Sequence, residues 1–169
     1  LAVYPFTPQP AISQAILQLA DVPVFCGVGG GTTTGVRVNR LAQDAEFRGA
    51  LGVVLNAPAS NETVRYVTER VDIPVVITVV SSAEDVAARL SAGARILNVS
   101  GAGQTPDIVR AIRQKFPEVP IIATGGKTDE SILRTIEAGA NAITYTPPTS
   151  AELFREMMNR YRSLLSESV

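Results

Sequence analysis

The chain has 169 residues, 46% of them apolar and 18% charged, with a formal charge of −1 at pH 7. It is long enough for one domain with a sizeable core, and it has no disordered composition. Without a long run of like charge it carries no footprint for a nucleic-acid backbone or an anionic membrane. No apolar run reaches the roughly 18 residues of a spanning helix, and no basic leader followed by an apolar stretch opens the chain, so a cytoplasmic address is expected. Histidine is absent and Cys26 is the one cysteine. That excludes Ser-His-Asp triads, Cys-His pairs, His-ligated zinc and an intrachain disulfide, and no metal or organic cofactor is expected.

The opening LAVYPF is a strand candidate, followed by PVFC at 23–26 and then by FCGVGGGTTTG at 25–35. These glycines do not form a dinucleotide fingerprint, which needs glycine where Thr32 stands, nor a P-loop, which needs Lys followed by Ser or Thr. They predict a loop behind a strand, with glycines and hydroxyls placed to close over a polar ligand. Further strands are predicted at LGVVLN (51–56), PVVITV (74–79), RILNV (95–99), PIIAT (120–124) and NAITY (141–145). Between them apolar residues recur at helical spacing, as in Val64, Val67 and Val71 or Ile108, Ile112 and Phe116. Ser60, Ser82, Thr105 (before Pro106), Thr128 and Ser150 are predicted to cap helix starts, and Gly93 and Gly139 to end helices in the left-handed conformation. Alternating elements with nearly continuous apolar strands predict an α/β fold with a parallel sheet.

A longer period overlies this one. The strands at 23, 74 and 120 are introduced by VP, IP and VP, those near 51, 95 and 141 by Gly49-Ala50, Gly93-Ala94 and Gly139-Ala140. Alternation between odd and even strands suits the layered interior of a closed barrel. The expectation is therefore a single (β/α) TIM-type barrel domain over residues 1–169 with seven strands in sequence order. By parity LAVYPF is strand two, so the first βα unit would lie upstream of Leu1. Open edges at Val3 and Ile143 would then invite pairing with another chain, as in a homo-oligomer, or coverage by another segment.

In such a barrel the chemistry sits at the carboxyl ends of the strands. Those positions are Tyr4, Cys26, Asn56, Thr78, Asn98, Thr124 and Thr144, joined by Gly29 and Gly30 of the glycine-rich loop. All are neutral, suited to orienting a polar molecule and supplying no evident general acid or base. After strand seven, TGGKTDES at 124–131 predicts an anion site. Gly125 and Gly126 offer backbone N–H groups, Thr128 opens a helix, and Lys127 adds charge. Thr146, Thr149 and Ser150 offer hydroxyls beyond the last strand.

PIIATGGKTDES with the following EAGANAITYT resembles the phosphate-binding (β/α)8 barrels, among them sugar-phosphate epimerases and the barrel enzymes of histidine and tryptophan synthesis. The resemblance implies a small anionic or phosphorylated ligand and isomerase or lyase chemistry. The loop after strand eight departs from it, reading TYTPPTSAE where the group usually has another glycine. The whole chain also resembles uncharacterised bacterial barrel proteins that carry a hydrolase label, which its residues do not support. Its strand pattern and last third resemble the glycerol-uptake antiterminator proteins, which implies a non-catalytic regulatory alternative.

Overall fold

The computed structural model describes residues 8–145 and 148–166. The strand candidate LAVYPF, with Tyr4, and the hydroxyl of Thr146 lie outside them. Six strands form among the described residues, β1 (Phe25–Gly29), β2 (Gly52–Leu55), β3 (Val75–Val79), β4 (Ile96–Val99), β5 (Ile121–Thr124) and β6 (Ala142–Thr144). Each pairs in parallel with the next, so the order in space is the order in sequence. The expected seven strands are six here, because the seventh candidate falls outside the described residues. Among the described residues β1 and β6 are the edges of a half-barrel sheet.

Among the described residues seven α-helices alternate with the strands: α1 (Pro10–Leu19), α2 (Val36–Phe47), α3 (Asn61–Thr68), α4 (Val86–Ser91), α5 (Thr105–Lys115), α6 (Asp129–Glu137) and α7 (Ser150–Ser166). Ser60 caps α3 by accepting from Thr63 N–H. Thr128 and Ser131 bond reciprocally at the start of α6. Three caps differ from expectation. α4 is capped by Asp85, whose carboxylate lies in reach of Ala88 N–H, and not by Ser82. Thr105 lies inside α5, its hydroxyl tied to Gly101 N–H and the Ala102 carbonyl. Ser150 is likewise inside α7, because Thr149 and Glu152 bond to each other's backbone N–H and fix the boundary one residue earlier.

The two-unit period has a structural cause in how helices end. Gly49, Gly93 and Gly139 adopt φ of 89°, 110° and 107°. In each case the glycine N–H and that of the following alanine return to carbonyls in the last turn, as Gly49 does to Glu46 and Ala50 to Ala45. This is the Schellman arrangement, and it ends α2, α4 and α6. The intervening helices run instead into Pro23, Pro74 and Pro120. A proline at a strand's start gives up no ladder donor, and the Pro74 and Pro120 carbonyls accept from Val53 and Leu97.

Side chains alternate across the sheet. Cys26, Val28, Val53, Leu55, Val75, Ile77, Val79, Leu97, Val99, Ile121 and Ala123 share one buried cluster with Val38, Val64, Val67, Ile108 and Ile112 of the helices. Val54, Val76, Thr78 and Asn98 are buried as well but point to the opposite face, the inner wall of the half-barrel. The core therefore lies between sheet and helices, and the inner wall is where a site can open.

Candidate functional site

Asn56, Thr78 and Asn98 form a row across the carboxyl ends of β2, β3 and β4. Thr78 is in register with Asn98, and Asn56 follows Leu55, the partner of Ile77. Asn98 Nδ2 donates to Thr78 Oγ1 at 3.0 Å, and Thr78 Oγ1 donates in turn to Asn56 Oδ1 at 3.4 Å. These side chains bond to one another and not to frayed backbone. Asn98 Oδ1 is buried and has no partner among the described residues. An unpaired buried acceptor costs on the order of 1–3 kcal/mol, which a ligand hydroxyl or a bound water would recover. Further along the wall Thr124 Oγ1 donates to Ser100 Oγ at 3.2 Å, and Thr144 stands beside Thr124 in register.

The glycine-rich loop is pinned beside this row. Gly30 and Thr33 exchange backbone hydrogen bonds, Gly31 N–H donates to the Pro58 carbonyl, and Asn56 N–H donates to the Gly29 carbonyl. Gly30, at φ 95°, passes so close to Asn56 that a Cβ would collide with its backbone. The glycine there permits a tight turn against the end of β2. Gly29 lies under Val38 of α2, on the helix side.

Cys26 also stands on the helix side, in register with Val53 and 1% exposed, away from the mouth. Burial pushes its thiol pKa up, with the Ser13 hydroxyl of α1 pulling the other way. A neutral, enclosed thiol is a poor nucleophile.

The turn between β5 and α6 borders a cavity of about 280 Å³, lined by Ala102, Gly103, Thr105 and Pro106 on one side and by Thr124–Thr128, Ser131, Arg134 and Thr135 on the other. It brings together four of the five residues expected to hold an anion. Their roles divide. Gly125 N–H is used by the Thr144 carbonyl, and its bare Cα makes room for Ile132 and Ile143. Thr128 N–H is used by Ser131 Oγ. The N–H groups of Gly126 and Lys127 meet no acceptor among the described residues. Lys127 and Arg134 are exposed cations outside any ion pair there. Arg134, Ser100 and the 3-10 turn at Ala102–Gln104 were not singled out by sequence reading. Arg134 was legible, being one helical turn beyond Ser131. Ser100 was not, since only the pairing of β4 with β5 brings it to Thr124.

A larger groove of about 340 Å³ lies between α4 and α5 and contains none of the inner-wall row. Among the described residues no group of His, Cys, Asp and Glu is arranged to hold a metal, and no helix is long and apolar enough to cross a membrane.

No protein-family model matches the sequence, and no curated protein matches it. Solved structures do match in shape. A 2,3-dimethylmalate lyase of the PEP mutase/isocitrate lyase superfamily superposes with a TM-score of 0.68 at 16% identity, over 95% of this chain and 66% of its own. A 4-hydroxy-tetrahydrodipicolinate synthase from Methylacidiphilum fumariolicum SolV gives 0.65 at 18%, over 81% and 50%. A phosphonopyruvate hydrolase bound to oxalate and Mg++ gives 0.62 at 17%, over 94% and 64%. The six-stranded parallel sheet is a half-barrel whose fold matches part of these TIM-barrel structures. The chain spans about half the length of the dihydrodipicolinate synthase structures it matches. At these identities the likeness concerns the fold, and the site rests on this chain's own residues.

Proposed function

We propose that the chain binds a small anionic, phosphorylated metabolite at the carboxyl end of its sheet, as a lyase- or isomerase-type barrel protein and not a hydrolase. The observation that carries this reading is the cavity at the β5–α6 turn, where two N–H groups that meet no acceptor among the described residues, Gly126 and Lys127, lie with the side chains of Lys127 and Arg134. The start of α6 adds its partial positive charge. Asp129 and Glu130 in the first turn already use part of that field, so the anion must gain from the two cations as well. Thr124 lies both on the cavity wall and on the inner face of the sheet, which lets one ligand span from the anion site toward Asn98, Thr78 and Asn56.

The solved neighbours named above include a lyase, a synthase and a hydrolase, and a further one, YagE from E. coli K12, is in complex with pyruvate. Small organic acids thus belong to the ligand range of this fold, and the proposed chemistry follows that analogy. A non-catalytic, ligand-sensing barrel is the second reading, favoured by the neutral row Asn56, Thr78, Asn98, Thr124 and Thr144. A cytoplasmic setting suits the single, buried thiol.

Thermal protection by inorganic phosphate and by glycerol 3-phosphate tests the site. Both should raise the melting temperature of the wild type. Gly126→Asp should abolish the effect by placing a carboxylate against the site, and Lys127→Ala with Arg134→Ala, both at exposed positions, should weaken it in a chain that folds normally. Equal protection in all three proteins would remove the anion site. Turnover of phosphorylated hydroxy or keto acids, lost in the same variants, separates the enzymatic reading from the sensing one.

A further inference from the structure

Helices α2 to α5 bring residues to the core, α1 packs Ile16 and Leu17 against it, α6 buries Thr135, and none of the described residues of α7 joins it. Leu153, Phe154, Met157, Tyr161 and Leu164 are 47–69% exposed, and Met158 is half-buried. At about 100° per residue these six occupy one arc of roughly 140°. The remaining surface is polar, with Arg155 and Arg162 along one border of the arc and Arg160 along the other. This is a helix built to be covered, with its apolar face open.

The matching surface is on α6. Ser131, Arg134 and Thr135 face the α5 side, where they line the cavity with Pro106. The opposite flank carries Leu133 and Ile136, exposed by 56% and 48%. Asp129, Glu130 and Glu137 border that pair. None of these acids, nor Arg155, Arg160 or Arg162, is in an ion pair among the described residues. An apolar pair rimmed by acids thus stands uncovered in the same chain as an apolar helix face rimmed by arginines. Beyond it, β6 is the edge of the sheet among the described residues, with Ala142 exposed.

We infer that α7 docks on the α6–β6 flank of a second copy of this chain, each copy giving its α7 to the other in a two-fold dimer. The two surfaces are complementary in polarity and charge, and a reciprocal exchange buries both twice with one symmetry operation. α7 is about 25 Å long at about 1.5 Å per residue, long enough to run the full length of α6. The opposed charges fix orientation and rate of encounter more than affinity, which the apolar face supplies.

Sedimentation of the full chain at micromolar concentration should give a dimer. Leu153→Glu with Met157→Glu should weaken association by about tenfold or more while far-ultraviolet circular dichroism stays native, because neither residue is in the core. Glu130→Arg with Glu137→Arg should weaken it too, and Arg155→Glu with Arg162→Glu in the same chain should restore it. Leu133→Cys paired with Met157→Cys should cross-link between chains on oxidation, against the background of a buried Cys26. A monomeric wild type, a cross-link formed only within one chain, or an open-ended ladder of oligomers would each overturn the inference.

Discussion

On the helix-facing side of the sheet, Leu55, Ile77, Leu97 and Ile121 are fully buried among apolar side chains. One residue away on the same strands, Asn56, Thr78, Asn98 and Ile122 face the inner wall, where amides and a hydroxyl bond to one another and the Asn98 carbonyl oxygen has no partner among the described residues. The two faces share backbone, register and strand propensity. Their difference comes wholly from which residues occupy alternate positions, and it separates the surface that holds the fold from the surface available to a ligand. Stability on one side is close to saturated; on the other an unmet hydrogen-bonding demand is retained.

That contrast can be broken most sharply at Cys26, which belongs to the packed face. In the native chain a thiol reagent should label it on the order of 10³-fold or more slowly than in urea, because access requires unfolding and native states of this size are stable by about 5–15 kcal/mol. Its raised pKa has a defined sign: the contribution to stability is intact below the ordinary value of 9.0 and is lost as pH rises through the higher folded value. Labelling as fast as in a short peptide would place Cys26 at the mouth. Leu97→Ala should cost about 2–5 kcal/mol by urea denaturation, since it empties a fully buried site between sheet and helices.

Smaller effects sharpen the comparison. Thr128→Ala should cost about 0.5–2 kcal/mol through loss of the cap on α6, and phosphate protection should fall with it if that helix end holds the anion. Asn98→Leu on the inner wall should stay within about 1 kcal/mol of wild type, because deleting the orphaned carbonyl offsets the lost bond to Thr78. A loss as large as that of Leu97→Ala would make the row structural. Smallest is the pH response at α7. The Thr149 N–H and hydroxyl hold the Glu152 carboxyl below its ordinary value of 4.5, with a lesser pull from Lys127. Its support for the first turn is therefore present above that value and fades as pH falls through the lower folded one. The Thr149 amide resonance should report this, and Glu152→Gln should remove the pH dependence.

Strand positions, parallel sequence-ordered pairing and the helix ends at Gly93 and Gly139 were legible because they depend on local pattern: apolar runs of strand length, helical spacing between them, and a left-handed glycine behind each helix. The turn between β5 and α6 was legible for the same reason, as glycines followed by a cap. The caps at Ser82, Thr105 and Ser150 were misplaced because several hydroxyls and carboxylates lie within reach of each helix start, and only geometry selects among them. Cys26 was assigned to the mouth from its place near the end of an apolar run. Strand parity put it on the other face, and parity is fixed by pairing with β2.

By itself the sequence determined the alternation of elements, the order of the sheet and the neutral residues Asn56, Thr78, Asn98, Thr124 and Thr144 at the strand ends, since each follows from residue types at short spacing. Tertiary structure alone decided that Asn56, Thr78 and Asn98 are neighbours, that Gly125 spends its N–H on Thr144 while those of Gly126 and Lys127 meet no acceptor among the described residues, and that Leu153, Phe154, Met157 and Tyr161 of α7 are exposed. These depend on contacts between residues about 20 or more positions apart in the chain, whose meeting is set by register and helix docking. No local pattern encodes them one residue at a time.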